Sequence, residues 1–239
     1  MRLRTAVHGN GPMRVALVHG LGASGKTWRP LVGRILKLGG RSVVTVDLRG
    51  HGSSPAAAEY TLAGYADDLV ETLPKGLDTV VGHALGGSVV AAAAARLSPR
   101  RAVYLDPGFR LGLPTARWFW VAPQLTMGAV ALAARPARAR GRARFAPEDR
   151  ALLDEARAGM ARGVALGTVK DAAHHPLVVG PPPVPSTVVL SADGPAVVPD
   201  ALAAELAAAG WVLRRAPDVH HEFWLEDADV TFAAIRDLL

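Results

Sequence analysis

The sequence predicts an α/β fold: a mostly parallel sheet covered by helices on both faces, with a helical lid inserted between two strands. Three observations predict it. Short apolar runs bounded by Gly and Pro alternate with amphipathic stretches of helical period, and alternating strands and helices make a parallel sheet. An apolar run ends in Gly82-His83-Ala84-Leu85-Gly86 and opens straight into an Ala-rich helix, which marks a tight strand-to-helix turn. The alternation then stops at Pro107 and resumes near Pro185.

Taken in order, residues 13–19 read as a buried strand, set between Gly9-Asn10-Gly11-Pro12 and Gly20. Residues 27–38 have helical spacing and close on Gly39-Gly40. A second strand covers 42–47, and 48–54 form a glycine-bearing loop. Residues 61–73 are an amphipathic helix ended by Pro74. Strands follow at 77–81 and 101–106. Beyond Pro107 come an aromatic-rich stretch, an arginine run and a helix predicted over 147–173. The linker Gly180-Pro181-Pro182-Pro183-Val184-Pro185 returns the chain to a strand at 186–191. A helix at 200–209, a strand at 211–215 and a final helix at 227–239 complete the series. The predicted division is a core of residues 1–107 and 185–239, and a lid of residues 108–184.

At 239 residues and 50% hydrophobic composition the chain has material for one globular domain with an insertion. It has no cysteine, which excludes a disulfide framework and thiolate chemistry. Much of the net charge of +6 lies in Arg135, Arg138, Arg140, Arg142 and Arg144. No aromatic interleaving or DNA-binding motif accompanies that run, so it is read as a solvated surface and no nucleic-acid partner is expected. Residues 1–10 carry arginines and no apolar stretch, so the expected address is cytoplasmic. Residues 118–134 are uncharged but broken by Pro123 and short of the ~20 residues a spanning helix needs. No membrane span is expected.

Four motifs fall where acyl-transfer chemistry on such a sheet would need them. His19-Gly20-Leu21-Gly22 follows the first strong strand and can aim the Leu21 N–H into a site. Asp47-Leu48-Arg49-Gly50-His51-Gly52-Ser53-Ser54 follows the next strand. The turn around Ala84 supplies the Leu85 N–H, and two converging N–H groups make an oxyanion hole. His220-His221-Glu222-Phe223-Trp224-Leu225-Glu226 stands near the C-terminus. In that order, over nearly the whole chain, these motifs resemble the α/β-hydrolase family. The resemblance implies a nucleophile, acid and histidine in that order along the chain, and no cofactor. It departs at Ala84, where the family has Ser, less often Asp or Cys.

The family spacing of His to Glu picks out His221, with Glu226 five positions on, as general base; His220 reads as structural. For the acid, Asp193 in Ser191-Ala192-Asp193-Gly194 is favoured over Asp106, and Asp47 reads as structural. Trp118, Trp120 and Trp224 are candidates to line the substrate pocket, and core packing is equally open for each. Gly20-Leu21-Gly22-Ala23-Ser24-Gly25-Lys26-Thr27 also matches a phosphate-cradling loop. That reading leaves the Ala84 turn and His221 unexplained. Pairs His174-His175 and His220-His221 lack metal-ligand spacing, so no metal is assigned. The expected function is that of a serine hydrolase acting on a small-molecule ester or lactone, present with Ala in place of Ser at 84. A non-hydrolytic binder, or a lyase using His221 as base, remains the alternative.

Overall fold

A computed structural model describes residues 1–111, 141–191 and 197–239. Seven strands form one sheet in the order β1-β3-β2-β4-β5-β6-β7: β1 (Arg4–His8), β2 (Met13–Val18), β3 (Arg41–Asp47), β4 (Thr79–His83), β5 (Arg101–Leu105), β6 (Ser186–Ser191) and β7 (Val212–Ala216). Every pairing is parallel except β1 with β3, where Arg4 faces Asp47 and His8 faces Val43. The sequence reading placed no strand at β1. It is an edge strand exposed along almost its whole length, so it has no buried face to imprint an apolar alternation.

The strands between the two edges are largely buried on both faces, whereas the edge strand β7 is partly exposed, and the pleat explains how the inner strands feed two cores. Val15 and Leu17 join one core cluster, with Trp28, Leu31, Ile35, Val81 and Leu105. Their neighbours Ala16 and Val18 join the other, with Tyr65, Leu69, Val89 and Tyr104. The first cluster lies under α1 (Arg29–Lys37) and the C-terminal helix α7 (Ala228–Ile235). The second lies under α2 (Leu62–Thr72), α3 (Leu85–Leu97) and α6 (Asp200–Ala208). Side-chain capping fixes two helix starts. Thr61 accepts a hydrogen bond from Gly64 N–H at 3.1 Å, and Asp227 accepts from Asp229 and Val230 N–H at 3.0 Å each.

Between β5 and β6 the single helix expected over 147–173 is two: α4 (Pro147–Ala158) and α5 (Val164–His174). The break falls at residues 159–163. Gly159 caps α4, and Gly163, at φ +84°, stands at the N-terminus of α5 in a conformation no other residue adopts cheaply. No helix among the described residues is long and apolar enough to cross a membrane.

Candidate active site

The turn after β4 is forced by close backbone approach. A Cβ on Gly82 would meet Gly86 O at 2.5 Å, and one on Gly86 would meet Val18 O at 2.3 Å. Between these glycines Ala84 is held at φ +48°, ψ −113°, a region L-residues rarely occupy. Four hydrogen bonds hold it there. Its N–H donates to Leu105 O at 3.1 Å, and its carbonyl accepts from Gly87, Gly108 and Ser88 N–H at 3.0, 3.0 and 3.3 Å.

Asp106, the residue after β5, is also left-handed at φ +41°. Its side chain is buried, and its Oδ2 accepts a 2.7 Å hydrogen bond from His221 Nδ1. Asp193, the carboxylate favoured by the sequence, lies outside the described residues, as do Trp118 and Trp120. The described carboxylate at His221 Nδ1 is thus Asp106, the other candidate.

Two buried histidines brace the site. His83 Nε2–H donates to the His221 carbonyl at 2.7 Å, and the two rings lie 4.7 Å apart. Burial, then the neighbouring His221, pushes the His83 pKa down to about 3, so the ring is neutral. His19 accepts the Leu48 N–H on Nε2 at 3.0 Å, so its Nδ1 carries the proton and donates to Gly20 O at 2.8 Å. Burial lowers its pKa to about 3 as well. This neutral ring ties the Gly20–Leu21 turn to the loop after β3. A Cβ on Gly20 would lie 2.9 Å from His83 Nδ1 and 3.2 Å from Ala84 Cβ, so that turn and Ala84 are in contact range.

The neighbouring histidine is structural. His220 Nδ1 bonds Glu226 at 2.7 Å, and the buried Glu226 carboxylate also accepts the N–H groups of His220 and Glu222. Glu226 therefore folds the loop that presents His221.

Leu21, Ala84, Leu85 and His221 line one cavity of about 590 Å³. Its remaining wall is largely apolar, from Leu62 of the core and Phe109, Leu111, Met160, Val169 and Leu177 of the segment between β5 and β6. Arg157 from α4 crosses its rim to Glu222, at 3.2 Å. Trp224 is not in this wall. It is 2% exposed, stacked on Trp28 at 3.6 Å, and its Nε1–H donates to Thr27 O, so it is core. It packs edge-on against His83 at 4.9 Å and reaches the site only through that ring.

The phosphate-loop reading fails on partners. The Gly25 N–H donates to Asp47 Oδ1 at 2.7 Å, and Lys26 pairs with Glu155 at 3.1 Å. Asp47 Oδ2 also accepts the Ser53 N–H, so it orders two loops, as expected of a structural acid. A larger hollow of about 720 Å³ opens beside Lys26 and β1, and none of residues 84, 106 and 221 lines it.

Sequence reasoning gave no role to His83, Ser88 or Arg157. His83 had a signal, standing inside the turn motif itself. Arg157 had none, since its place depends on how α4 packs.

The profile of the alpha/beta hydrolase family matches residues 15–235. An esterase of Escherichia coli is 37% identical over 100 residues, 39% of this chain and 36% of that protein. A pimeloyl-acyl-carrier-protein methyl ester esterase of Methylococcus capsulatus is 39% identical over 100 residues, 41% and 37% of the two chains. The matched stretch thus spans well under half the length of these curated relatives. Among solved structures, an enol-lactonase from Burkholderia xenovorans superposes with a TM-score of 0.72 at 25% identity, covering 99% of this chain and 95% of that one.

Proposed function

The chain belongs to the alpha/beta hydrolase family, and from that premise we propose that it carries the site of a carboxylic ester or lactone hydrolase. Residue 84 is the nucleophile position and alanine occupies it. The observation that carries this reading is the left-handed Ala84 at one cavity with the His221–Asp106 pair. Residues 108–184 are its lid, over a core of 1–107 and 185–239.

With a hydroxyl at residue 84, His221 takes its proton as the oxygen attacks the ester carbonyl. The Leu21 and Leu85 N–H groups receive the oxyanion, each worth about 3 kcal/mol in the transition state. His221 then protonates the leaving alcohol, and a water deprotonated by His221 releases the acid. Asp106 holds the imidazole tautomer and balances the charge of the imidazolium. No cofactor enters this chemistry. With Ala84 the covalent step has no attacking atom, and turnover is expected to be lower by about 10⁶. The substrate is a small molecule with substantial apolar surface, in keeping with the cavity wall.

The test is Ala84→Ser treated with a fluorophosphonate probe. Covalent labelling at residue 84 that is lost when His221→Ala is added supports the reading. A folded Ala84→Ser protein that does not label overturns it. The second reading, a binder that never hydrolyses, is favoured by Ala84 itself and would then stand.

A further inference from the structure

Alanine at residue 84 takes one oxygen out of the site and leaves its other groups in place. His221 lines the cavity with its side chain 41% exposed, and its Nδ1 is held at 2.7 Å on the buried Asp106 carboxylate. That bond keeps the proton on Nδ1 and the lone pair on Nε2, which makes the ring a base. Leu21 and Leu85 line the same cavity, and neither of their N–H groups donates to another described residue. These groups are close neighbours. A Cβ on Gly20 would lie 3.2 Å from Ala84 Cβ and 2.9 Å from His83 Nδ1, and the His83 ring is 4.7 Å from the His221 ring.

A base and two N–H donors beside a bound carbonyl group have a use that needs no nucleophile. In an ester hydrolase the residue-84 oxygen stands between the histidine and the substrate and gives its proton to the ring. With Ala84 no side-chain oxygen of that residue intervenes. We propose that this chain catalyses enolisation, removing a proton from the carbon next to the carbonyl. The C–H bond breaks and its proton goes to His221 Nε2. Its electron pair forms a carbon–carbon double bond, and the carbonyl π pair moves onto oxygen. The Leu21 and Leu85 N–H groups receive the enolate oxygen, each such donor being worth about 10²–10³ in rate, and Asp106 balances the imidazolium. Return of a proton from His221 to the carbon closes the cycle, so nothing is oxidised, reduced or consumed. The substrate class is a β-keto ester or 1,3-diketone, because a C–H flanked by two carbonyls is acidic enough for imidazole to remove. Its apolar arms suit the Leu62, Phe109 and Met160 wall. This activity goes beyond ester hydrolysis and rests on the same cavity, base and donors.

The test uses the unmodified protein and ethyl 2-methylacetoacetate in D₂O, with the C–H between its carbonyls followed by proton NMR. Exchange above the buffer rate should saturate with ester and run about 10²-fold faster than in His221→Ala, the low end of what a positioned base supplies. Asp106→Asn, which keeps the side-chain volume, should slow exchange nearly as much, because it favours the wrong tautomer of His221. Ala84→Ser should exchange about tenfold more slowly than the unmodified chain, since its hydroxyl engages the base. Each variant is compared only once a cooperative thermal transition shows it folded. Exchange no faster than in His221→Ala, unchanged by Asp106→Asn, or undiminished in Ala84→Ser overturns the inference. Fluorophosphonate labelling of Ala84→Ser judges the hydrolase reading separately. Labelling without exchange refutes enolisation alone, and exchange without labelling supports enolisation while refuting the hydrolase reading.

Discussion

Asp106 is the residue whose replacement tests the site most sharply. In an Ala84→Ser background, Asp106→Asn keeps the side-chain volume and removes the charge facing His221. The Asp106 carboxylate is about 1% exposed and meets His221 Nδ1 at 2.7 Å. Once His221 has taken a proton, the charge centres are about 4 Å apart, worth about 4 kcal/mol at an effective dielectric of 20. That alone is about three decades in rate. An asparagine N–H facing Nδ1 also favours the wrong tautomer, and in serine-protease sites the same exchange costs about 10⁴. The expected loss in kcat for p-nitrophenyl butyrate is therefore about 10³ to 10⁴, with KM changed little. Asp193→Asn, made in the same background, should stay within about tenfold of its parent if Asp106 is the acid. The opposite ranking, Asp106→Asn within tenfold and Asp193→Asn down by three decades, would falsify the assignment of Asp106 as the acid.

Three further outcomes follow from the geometry. Gly86→Ala should destabilise the protein by about 3 kcal/mol in urea unfolding, because its Cβ meets backbone oxygen at 2.3 Å. Gly33→Ala, inside α1 with nothing within 4 Å, should stabilise by about 0.5–1 kcal/mol; equal effects would refute the close-approach argument. His19 and His83, both held neutral with pKa values near 3, take up protons on unfolding, so the unfolded chain binds more protons below its own histidine pKa of about 6.5. Their contribution to stability is present above that pKa and is lost as the pH falls toward 3. Between pH 6 and 5 stability should drop by about 2 kcal/mol, and a flat urea midpoint across that interval would count against two buried neutral rings. Trp28→Ala, which opens the stack under Trp224, should cost about 3–5 kcal/mol and lower the Tm without abolishing ligand binding at the cavity.

How much of this was legible in the sequence depended on whether backbone or tertiary packing set the feature. The turn at residues 82–86 could be read because its glycines are demanded by close backbone approach: the Gly86 carbonyl leaves no room for a Cβ on Gly82, and the Val18 carbonyl of β2 leaves none on Gly86. The spacing to Glu226 picked out His221 over His220, and in the structure Glu226 bonds His220 Nδ1 and the Glu222 N–H and so folds that loop. The acid could not be decided. Asp106 directly follows β5, Asp193 lies shortly after β6, and these strands are neighbours, so a carboxylate after either can face a histidine loop beyond β7. Trp224 was open between pocket and core for a similar reason: composition says an aromatic is buried, but only Trp28 decides on what. The phosphate-loop pattern at residues 20–27 shows the converse. The letters match, but Asp47 takes the Gly25 N–H that a phosphate would need.

The same separation of backbone from side chain bears on Ala84. A left-handed conformation in a non-glycine residue costs about 1–3 kcal/mol and persists only where the surroundings impose it. At residue 84 no nucleophile is present to give that conformation a use, yet the strain is maintained in full. What maintains it is visible: the Leu105 carbonyl on one side, the Gly87 and Gly108 N–H groups on the other, and two glycines that let β2 and α3 approach. All of these bonds are made to the residue-84 backbone. The scaffold is thus organised independently of the group it presents, and adding one oxygen to Ala84 asks for no backbone movement. It follows that Ala84→Ser should change stability by less than about 0.5 kcal/mol while changing reactivity by orders of magnitude. A large loss of stability in Ala84→Ser would mean that this backbone had settled around alanine, and would count against a site built for a nucleophile.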